Sequence, residues 1–363
     1  MPDTKRIVIL GSTGSIGVQA LEIVAANPDI FKVVGLAAGG KNPELLEAQA
    51  KKFSVKNYGT GTQKACELAA SDCEIVLNGI TGSIGLAPTL AALEAGNMVA
   101  LANKESLVAG GDLVMKYGAE KLIPVDSEHS AIYQSAKAGK RSEISKLILT
   151  ASGGPFRDRA DLDSVTREEA LAHPTWNMGP VVTINSATLM NKGLEIIEAH
   201  YLFDMPYEKI EAVIHPQSVI HSMVEFCDGS TIAQASPPDM KGPISYALGG
   251  KDRIPNSMSA IDWRGEHSWS FSPIDEKRFP AIRLAREVGT KGGGLTAIFN
   301  AANEVAVDAF LNNSLSFTQI VQIVERTLER LQSNAPYSIR DLADVGAIED
   351  DARAVANELI KGA

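Results

Sequence analysis

The stretch Arg6-Ile7-Val8-Ile9-Leu10-Gly11-Ser12-Thr13-Gly14-Ser15-Ile16-Gly17 decides the fold. Four consecutive apolar residues read as a buried strand. Three glycines follow in a GxxGxxG spacing, and Ala20, Leu21, Ile23 and Val24 then form the apolar face of a helix. Strand, glycine-rich turn and helix open a dinucleotide-binding βαβ unit. The glycines permit a tight turn and let backbone N–H groups at the helix start approach a pyrophosphate. The spacing is not the more familiar GxGxxG, so the strand-to-helix context carries the reading against a purely structural turn.

Working outward, Phe31 to Ala38 reads as the second strand. Enzymes that use NAD usually place Asp or Glu at its end to hold the ribose 2′-hydroxyl. Here Gly39-Gly40-Lys41-Asn42 follows, with no acid before Glu44. The missing acid and the added base favour a 2′-phosphate and hence NADP(H); a solvated loop lysine is the alternative. Residues 74–80 and 97–103 read as further parallel strands, joined by a helix over 88–95 that Gly96 closes. Asn103-Lys104-Glu105 then stands at a strand's carboxyl end, where open α/β sheets bind ligands. An exposed loop would look the same.

A second cluster lies in Leu122-Ile123-Pro124-Val125-Asp126-Ser127-Glu128-His129-Ser130. Strand alternation puts Asp126 and Glu128 on one face and Ser127 on the other. Two close carboxylates repel unless a cation sits between them, and oxygen ligands suit a hard divalent ion. Further on, Ser152-Gly153-Gly154-Pro155 offers a hydroxyl and approachable amides after a strand at 146–151, either as a phosphate grip or as a mere turn. His173 to Pro180, with two prolines, a glycine and Trp176, is a loop; Trp there is either packed or used as a lid. Val181 to Ser186 reads as a strand and Leu189 to Phe203 as a helix. On that helix Asn191, Lys192 and Glu195 share a face, either as a solvated pair or as part of a phosphate and metal cluster.

The fold class is therefore α/β, with an N-terminal Rossmann-type parallel sheet over 1–125, a central α+β catalytic domain over 126–249, a linker at 250–279 and a C-terminal helical domain over 280–363. Strands at 210–214, 219–226 and 230–235 belong to the middle, with an Asp228-Gly229 hairpin turn. Ser316 and Gln319 form a capping box for a helix over 317–331. A net charge of −10 argues against nonspecific nucleic-acid binding. The three cysteines, Cys66, Cys73 and Cys227, have no metal-ligand spacing, which suits a reducing compartment. With no signal-peptide pattern and no membrane-spanning apolar run, a bacterial-type cytoplasm is expected.

Seven stretches in order resemble the 1-deoxy-D-xylulose 5-phosphate reductoisomerase family: GSTGSIG (11–17), LANKESLV (101–108), PVDSEHSAI (124–132), TASGGPF (150–156), HPTWNMG (173–179), NSATLMNKGLEIIEA (185–199) and HPQSVIHSMVEF (215–226). The resemblance implies an NADPH- and metal-dependent enzyme of the methylerythritol phosphate route to isoprenoids. Asp126, Glu128 and Glu195 would ligate Mg2+ or Mn2+. Ser152, Ser186, Asn191 and His173 would hold the phosphate of a sugar phosphate substrate. Ser127, Lys104 and Lys192 would meet its hydroxyl and carbonyl end; a substrate-facing Ser127 conflicts with strict alternation, so the strand would end at Asp126 with the ligands on the turn leaving it. Thr13, Gly14, Ser15, Ile16, Gly40, Lys41, Asn42, Asn103, Glu105 and Gly179 would hold NADPH. Trp176 and Met178 would lie on a flexible lid, and the assembly would be a homodimer. Gly39 and Gly40 are doubled where the family pattern has one glycine. The rivals are an NADP oxidoreductase of a semialdehyde or sugar, which needs no three-carboxylate site, and a dinucleotide-sensing regulator, which would bind without turnover.

Overall fold

The computed structural model describes residues 4–176, 178–250, 252–336 and 338–362. The chain forms two compact units. The first comprises Met1–Leu107, Leu113–Gln134 and Asp239–Ile261, and the second Val108–Asp112, Ser135–Pro238 and Asp262–Ala363. The segmentation expected at 125/126, 249/250 and 279/280 runs in chain order, whereas these units interleave.

In the first unit, β1 (Lys5–Leu10), α1 (Ser15–Ala26), β2 (Phe31–Ala38), α2 (Pro43–Lys52), β3 (Asn57–Thr60), α3 (Thr62–Ala69), β4 (Ile75–Asn78), α4 (Leu86–Glu94), β5 (Met98–Leu101), α5 (Glu105–Val114) and β6 (Leu122–Pro124) follow in order. The six strands pair in parallel as β3-β2-β1-β4-β5-β6. That is the Rossmann-type order, and its switch point lies between β1 and β4. α4 ends in a Schellman motif: Asn97 N–H donates to the Ala92 carbonyl at 3.0 Å and Gly96 N–H to Leu93 at 3.0 Å, with Gly96 at φ +86°. The helix Lys241–Gly249 returns to this unit. Its Ile244, Ala247 and Leu248 share one core with Leu21, Val24 and Leu36, and Lys241 pairs with Glu22 at 2.8 Å. α6 (Ser127–Ser135) starts directly after β6.

The second unit is built on β7 (Ile144–Ala151), β8 (Ile210–Ile214), β9 (Ile220–Phe226), β10 (Thr231–Ala235) and β11 (Ser272–Pro273), in the order β10-β9-β7-β8-β11. β7 runs parallel to β8 and antiparallel to β9. Gly229, at φ +86°, makes the expected β9–β10 turn. Helices follow as α7 (Arg167–Leu171), α8 (Pro180–Ala187) and α9 (Met190–Phe203), then at Ala281–Lys291, Leu295–Leu311, Phe317–Leu331 and Leu342–Lys361. Ser316 N–H donates to Gln319 Oε1 at 2.7 Å, as the capping box requires.

One element differs in kind. Residues 181–186, expected as a strand, form α8. Gly179 is its N-cap, Pro180 fills the first helical position, and the Thr183 hydroxyl donates to the Gly179 carbonyl at 3.0 Å. A proline at that position presets a helical φ, and in this context it outweighs the β preference of Val181, Val182, Thr183 and Ile184. Among the described residues, no helix is long and apolar enough to cross a membrane.

Candidate active site

In the first unit the glycine-rich turn is shaped by close backbone approach. Gly11, at φ +78°, lies so near β4 that a Cβ there would sit 2.6 Å from the Gly79 carbonyl oxygen. A Cβ on Gly17 would sit 2.4 Å from the Gly11 carbonyl oxygen and 2.5 Å from Ser12 Cα. Both Gly11 and Ser12 donate N–H to the Ala37 carbonyl at 2.9 Å, and buried Gln49 donates to the Ser12 carbonyl at 2.8 Å. Gly14 caps α1 without a side-chain acceptor, and no acid lies in the first turn. Thr13, Gly14, Ser15 and Ile16 thus border a helix start whose N–H groups favour an anion. At the end of β2, Lys41 is exposed, and Asn42 caps α2 by accepting from Leu45 N–H at 3.1 Å. Gly40 turns there at φ +88°.

Asn103 is fully buried and its side chain is committed. Its amide donates to the Ile80 carbonyl at 2.6 Å, the Gly82 carbonyl at 2.8 Å and Glu105 Oε2 at 3.2 Å, and its oxygen accepts from Ser106 N–H at 2.9 Å. It shapes the loops beside the nucleotide turn. The next residue, Lys104, donates to Asp126 Oδ2 at 3.0 Å.

The strand stops sooner than the expected end at Asp126, and a helix follows rather than a turn. β6 ends at Pro124, and Asp126 is the N-cap of α6: its Oδ1 accepts from Glu128 N–H at 3.1 Å and from His129 N–H at 3.4 Å. Ser127 and Glu128 lie in the first helical turn, so strand alternation does not apply, and the Ser127 hydroxyl donates to Glu128 Oε2 at 2.5 Å. His129 is buried, with Nδ1 3.2 Å from Asp126 Oδ1. Sequence reasoning passed over His129; its i, i+3 spacing from the capping acid was the available signal.

In the second unit, Ser152 directly follows β7, His173 lies on the loop before α8, and Ser186 on the last turn of α8. His173 Nε2 is 3.1 Å from both serine hydroxyls. Its Nδ1 accepts from Thr175 N–H at 3.1 Å and Trp176 N–H at 2.9 Å. A nitrogen accepting two amides carries no proton, so this network assigns the proton to Nε2. Burial lowers the His173 pKa, and the charge of Arg157 lowers it further, which keeps the ring neutral with Nε2–H as donor. Gly154 N–H donates to Ser152 Oγ at 3.2 Å. Gly153 and Gly154 follow each other at φ +83° and +64°, and a Cβ on Gly154 would lie 3.0 Å from the Ser186 carbonyl oxygen. Only glycine brings this loop so near α8.

On the first turns of α9, Glu195 accepts from both Asn191 and Lys192. Lys192 and Glu195 are buried, with side chains 4% and 1% exposed, so the solvated-pair reading fails. Trp176 packs with its ring 6.1 Å from that of His221. Gly179 is exposed, and Met178 partly so. Asn177, in the same motif, lies outside the described residues. The two histidines of HPQSVIH bond to backbone groups: His215 Nε2 accepts from Val219 and Ile220 N–H, its Nδ1 donates to the Ser270 carbonyl, and His221 Nε2 donates to the Ser236 carbonyl at 3.1 Å.

The parallel sheet, its switch-point glycine turn and the separate hydroxyl–imidazole cluster define the class: a Rossmann-type nucleotide-binding fold joined to a second unit with its own polar cluster. Residues 7–59 and 55–111 match the profile of 1-deoxy-D-xylulose 5-phosphate reductoisomerase. Residues 122–203 match that enzyme's C-terminal domain, and residues 235–355 a further DXP reductoisomerase C-terminal domain. The chain is 56% identical over 360 residues to the 1-deoxy-D-xylulose 5-phosphate reductoisomerase of Leifsonia xyli subsp. xyli, covering 98% of this chain and 99% of that one. It is 53% identical over 383 residues to that of Streptomyces avermitilis, covering 97% of each. The solved structure of the Zymomonas mobilis reductoisomerase in complex with NADPH aligns with a TM-score of 0.92 at 39% identity, over 99% of this chain and 100% of that one. A DOX-P reductoisomerase in complex with NADPH, fosmidomycin and magnesium aligns with a TM-score of 0.92 at 36% identity, over 98% of each. The chain belongs to the 1-deoxy-D-xylulose 5-phosphate reductoisomerase family.

Proposed function

We propose that this enzyme rearranges and reduces 1-deoxy-D-xylulose 5-phosphate to 2-C-methyl-D-erythritol 4-phosphate, as a cytoplasmic homodimer of the non-mevalonate isoprenoid route. The observation that carries it is the neutral His173 between the Ser152 and Ser186 hydroxyls, a donor set for a phosphate on a second unit of a nucleotide-binding chain.

Asp126, Glu128 and Glu195 are proposed as ligands of Mg2+ or Mn2+, since three carboxylates and no soft donor suit a hard cation. Bound there, the ion would supply Lewis-acid chemistry to the substrate, and bound NADPH would supply the hydride. Thr13 to Ile16, Gly40, Lys41, Asn42, Asn103, Glu105 and Gly179 bind NADPH, with Lys41 toward the 2′-phosphate. His173 Nε2–H, the Ser152 and Ser186 hydroxyls and the Asn191 amide bind the substrate phosphate. That contact lies away from the reacting carbons, so its binding energy serves orientation. Lys104, Ser127 and Lys192 hold the hydroxyl and carbonyl end, and Trp176 with Met178 excludes water from above it.

The test is NADPH oxidation followed at varied substrate and metal. We expect it to require both 1-deoxy-D-xylulose 5-phosphate and a divalent ion. Turnover that survives thorough chelation, or that never occurs with this substrate, would refute the reading.

A further inference from the structure

Two arginines brace the loop that carries Ser152. Arg278 precedes the helix Ala281–Lys291. Its Nη1 donates to the Arg157 carbonyl at 3.0 Å, and its Nη2 to the Phe156 carbonyl at 3.0 Å and to the Arg159 carbonyl. Arg157 in turn reaches back along the chain. Its Nη1 lies 3.4 Å from the carbonyl oxygens of both Ser152 and Gly154. Its stem fills the space beside Gly153, where a Cβ would sit 3.2 Å from Arg157 Cβ. The carbonyls of residues 152, 154, 156, 157 and 159 thus all end on two guanidinium groups.

The chemistry of this arrangement is directional. A backbone carbonyl is the end of the peptide dipole that repels an anion, and the amide is the end that attracts one. Tying the carbonyls of 152–159 to fixed cations offsets their negative ends. It also removes conformational freedom from Gly153 and Gly154, which would otherwise be the loosest residues of the loop. The planar fork of Arg278 serves three carbonyls at once, which an ammonium group cannot reproduce in the same geometry. The charge of Arg157 also favours the neutral form of His173.

We propose that Arg278, acting through Arg157 and the 152–159 loop, is a positioning residue for the substrate phosphate: it touches no substrate atom but sets the register of the Ser152 hydroxyl and the Gly153–Gly154 amides. This rests on the reading of the Ser152–His173–Ser186 cluster as the phosphate site. A brace that matters only for folding would change stability and leave the phosphate affinity of the folded enzyme intact.

The experiment uses the full chain with NADPH and Mg2+. KM for the sugar phosphate, KM for NADPH, kcat, competitive inhibition by inorganic phosphate and the thermal midpoint are measured for Arg278→Lys, Arg157→Gln and Ser152→Ala. For Arg278→Lys we expect KM for the sugar phosphate and Ki for inorganic phosphate to rise together, about tenfold, with KM for NADPH unchanged and kcat within about threefold. Arg157→Gln should show the same split at smaller size, and it decides the matter if Arg278→Lys does not fold. Folded variants with unaltered KM and Ki for both phosphate ligands, or with equal losses for NADPH and the sugar phosphate, would overturn the proposal. Ser152→Ala separates the two levels. If it leaves KM and Ki unchanged, the phosphate site itself is misplaced; if it raises both while the arginine variants do not, only the positioning role falls.

Discussion

Gly17→Ala probes the nucleotide turn at its tightest point. The added methyl would start 2.4 Å from the Gly11 carbonyl oxygen, 2.5 Å from Ser12 Cα and 2.7 Å from the Ser12 carbonyl carbon. Carbon–carbon contact needs about 3.5 Å, so α1 must retreat by about 1 Å from the turn. All three obstructing atoms are backbone and none can rotate aside. Overpacking of this kind costs about 1–3 kcal/mol. Because the movement separates the start of α1 from the loop, part of the cost falls on the bound nucleotide: the full amount would weaken it by about 5- to 150-fold. Gly14→Ala is the control, since its Cβ would meet only the Gly11 carbonyl oxygen, at 3.3 Å. NADPH titration by fluorescence, with thermal melts of both variants, measures the effect. We expect a large loss of NADPH affinity for Gly17→Ala and a small one for Gly14→Ala. Equal affinities in a folded Gly17→Ala protein would refute the close-approach reasoning.

Further outcomes follow from the remaining groups. Lys41→Ala, at an exposed position, should leave stability within about 0.5 kcal/mol while raising KM for NADPH more than for NADH; equal effects would remove the 2′-phosphate assignment. Glu195→Gln should abolish metal-dependent turnover, because a neutral amide is a poor ligand for a hard cation, and should lower stability by weakening a buried ion pair with Lys192; denaturant melts and activity assays read the two losses separately, and near-normal turnover in a folded variant would rule out the ligand role. His173 has a folded pKa below its unfolded value, so the unfolded chain takes up its proton first as pH falls. Its contribution is present above pH about 6.5 and is lost as pH drops from there through the depressed folded pKa. Urea melts across that window should show a shallower decline for His173→Gln than for the unaltered chain, and identical slopes would contradict a buried neutral ring.

Much of the first unit was legible because parallel strands buried on both faces write continuous apolar runs, and glycines mark the turns between them. Ile7 to Leu10 and Ile75 to Leu77 are buried throughout. β3, Asn57–Thr60, carries no such run: it is a mostly exposed edge strand reading Asn-Tyr-Gly-Thr. The helix Lys241–Gly249 was equally hard to assign, because membership of the first unit depends on packing against α1 more than a hundred residues earlier, which no local pattern encodes. At α8 the local signals conflicted. Val181 to Ile184 point to a strand, and only the Gly179–Pro180 start points to a helix.

The site shows the same division between residue type and placement. Carboxylates, hydroxyls and a histidine in polar knots marked the chemistry, but spacing alone could not say which were exposed. Lys192 and Glu195 have the spacing of an ordinary solvated pair, yet both are buried, and burial is set by the helices around α9 rather than by its own sequence. Asp126 is the sharper case. Alternation made it one of two carboxylates along a strand; as the N-cap of α6 it is held by two backbone amides, with Lys104 on its other oxygen. An N-cap aspartate has its side chain fixed by the helix it starts. That rigidity suits a proposed metal ligand better than a strand position would, because an oxygen already held in place loses little freedom when a hard cation binds.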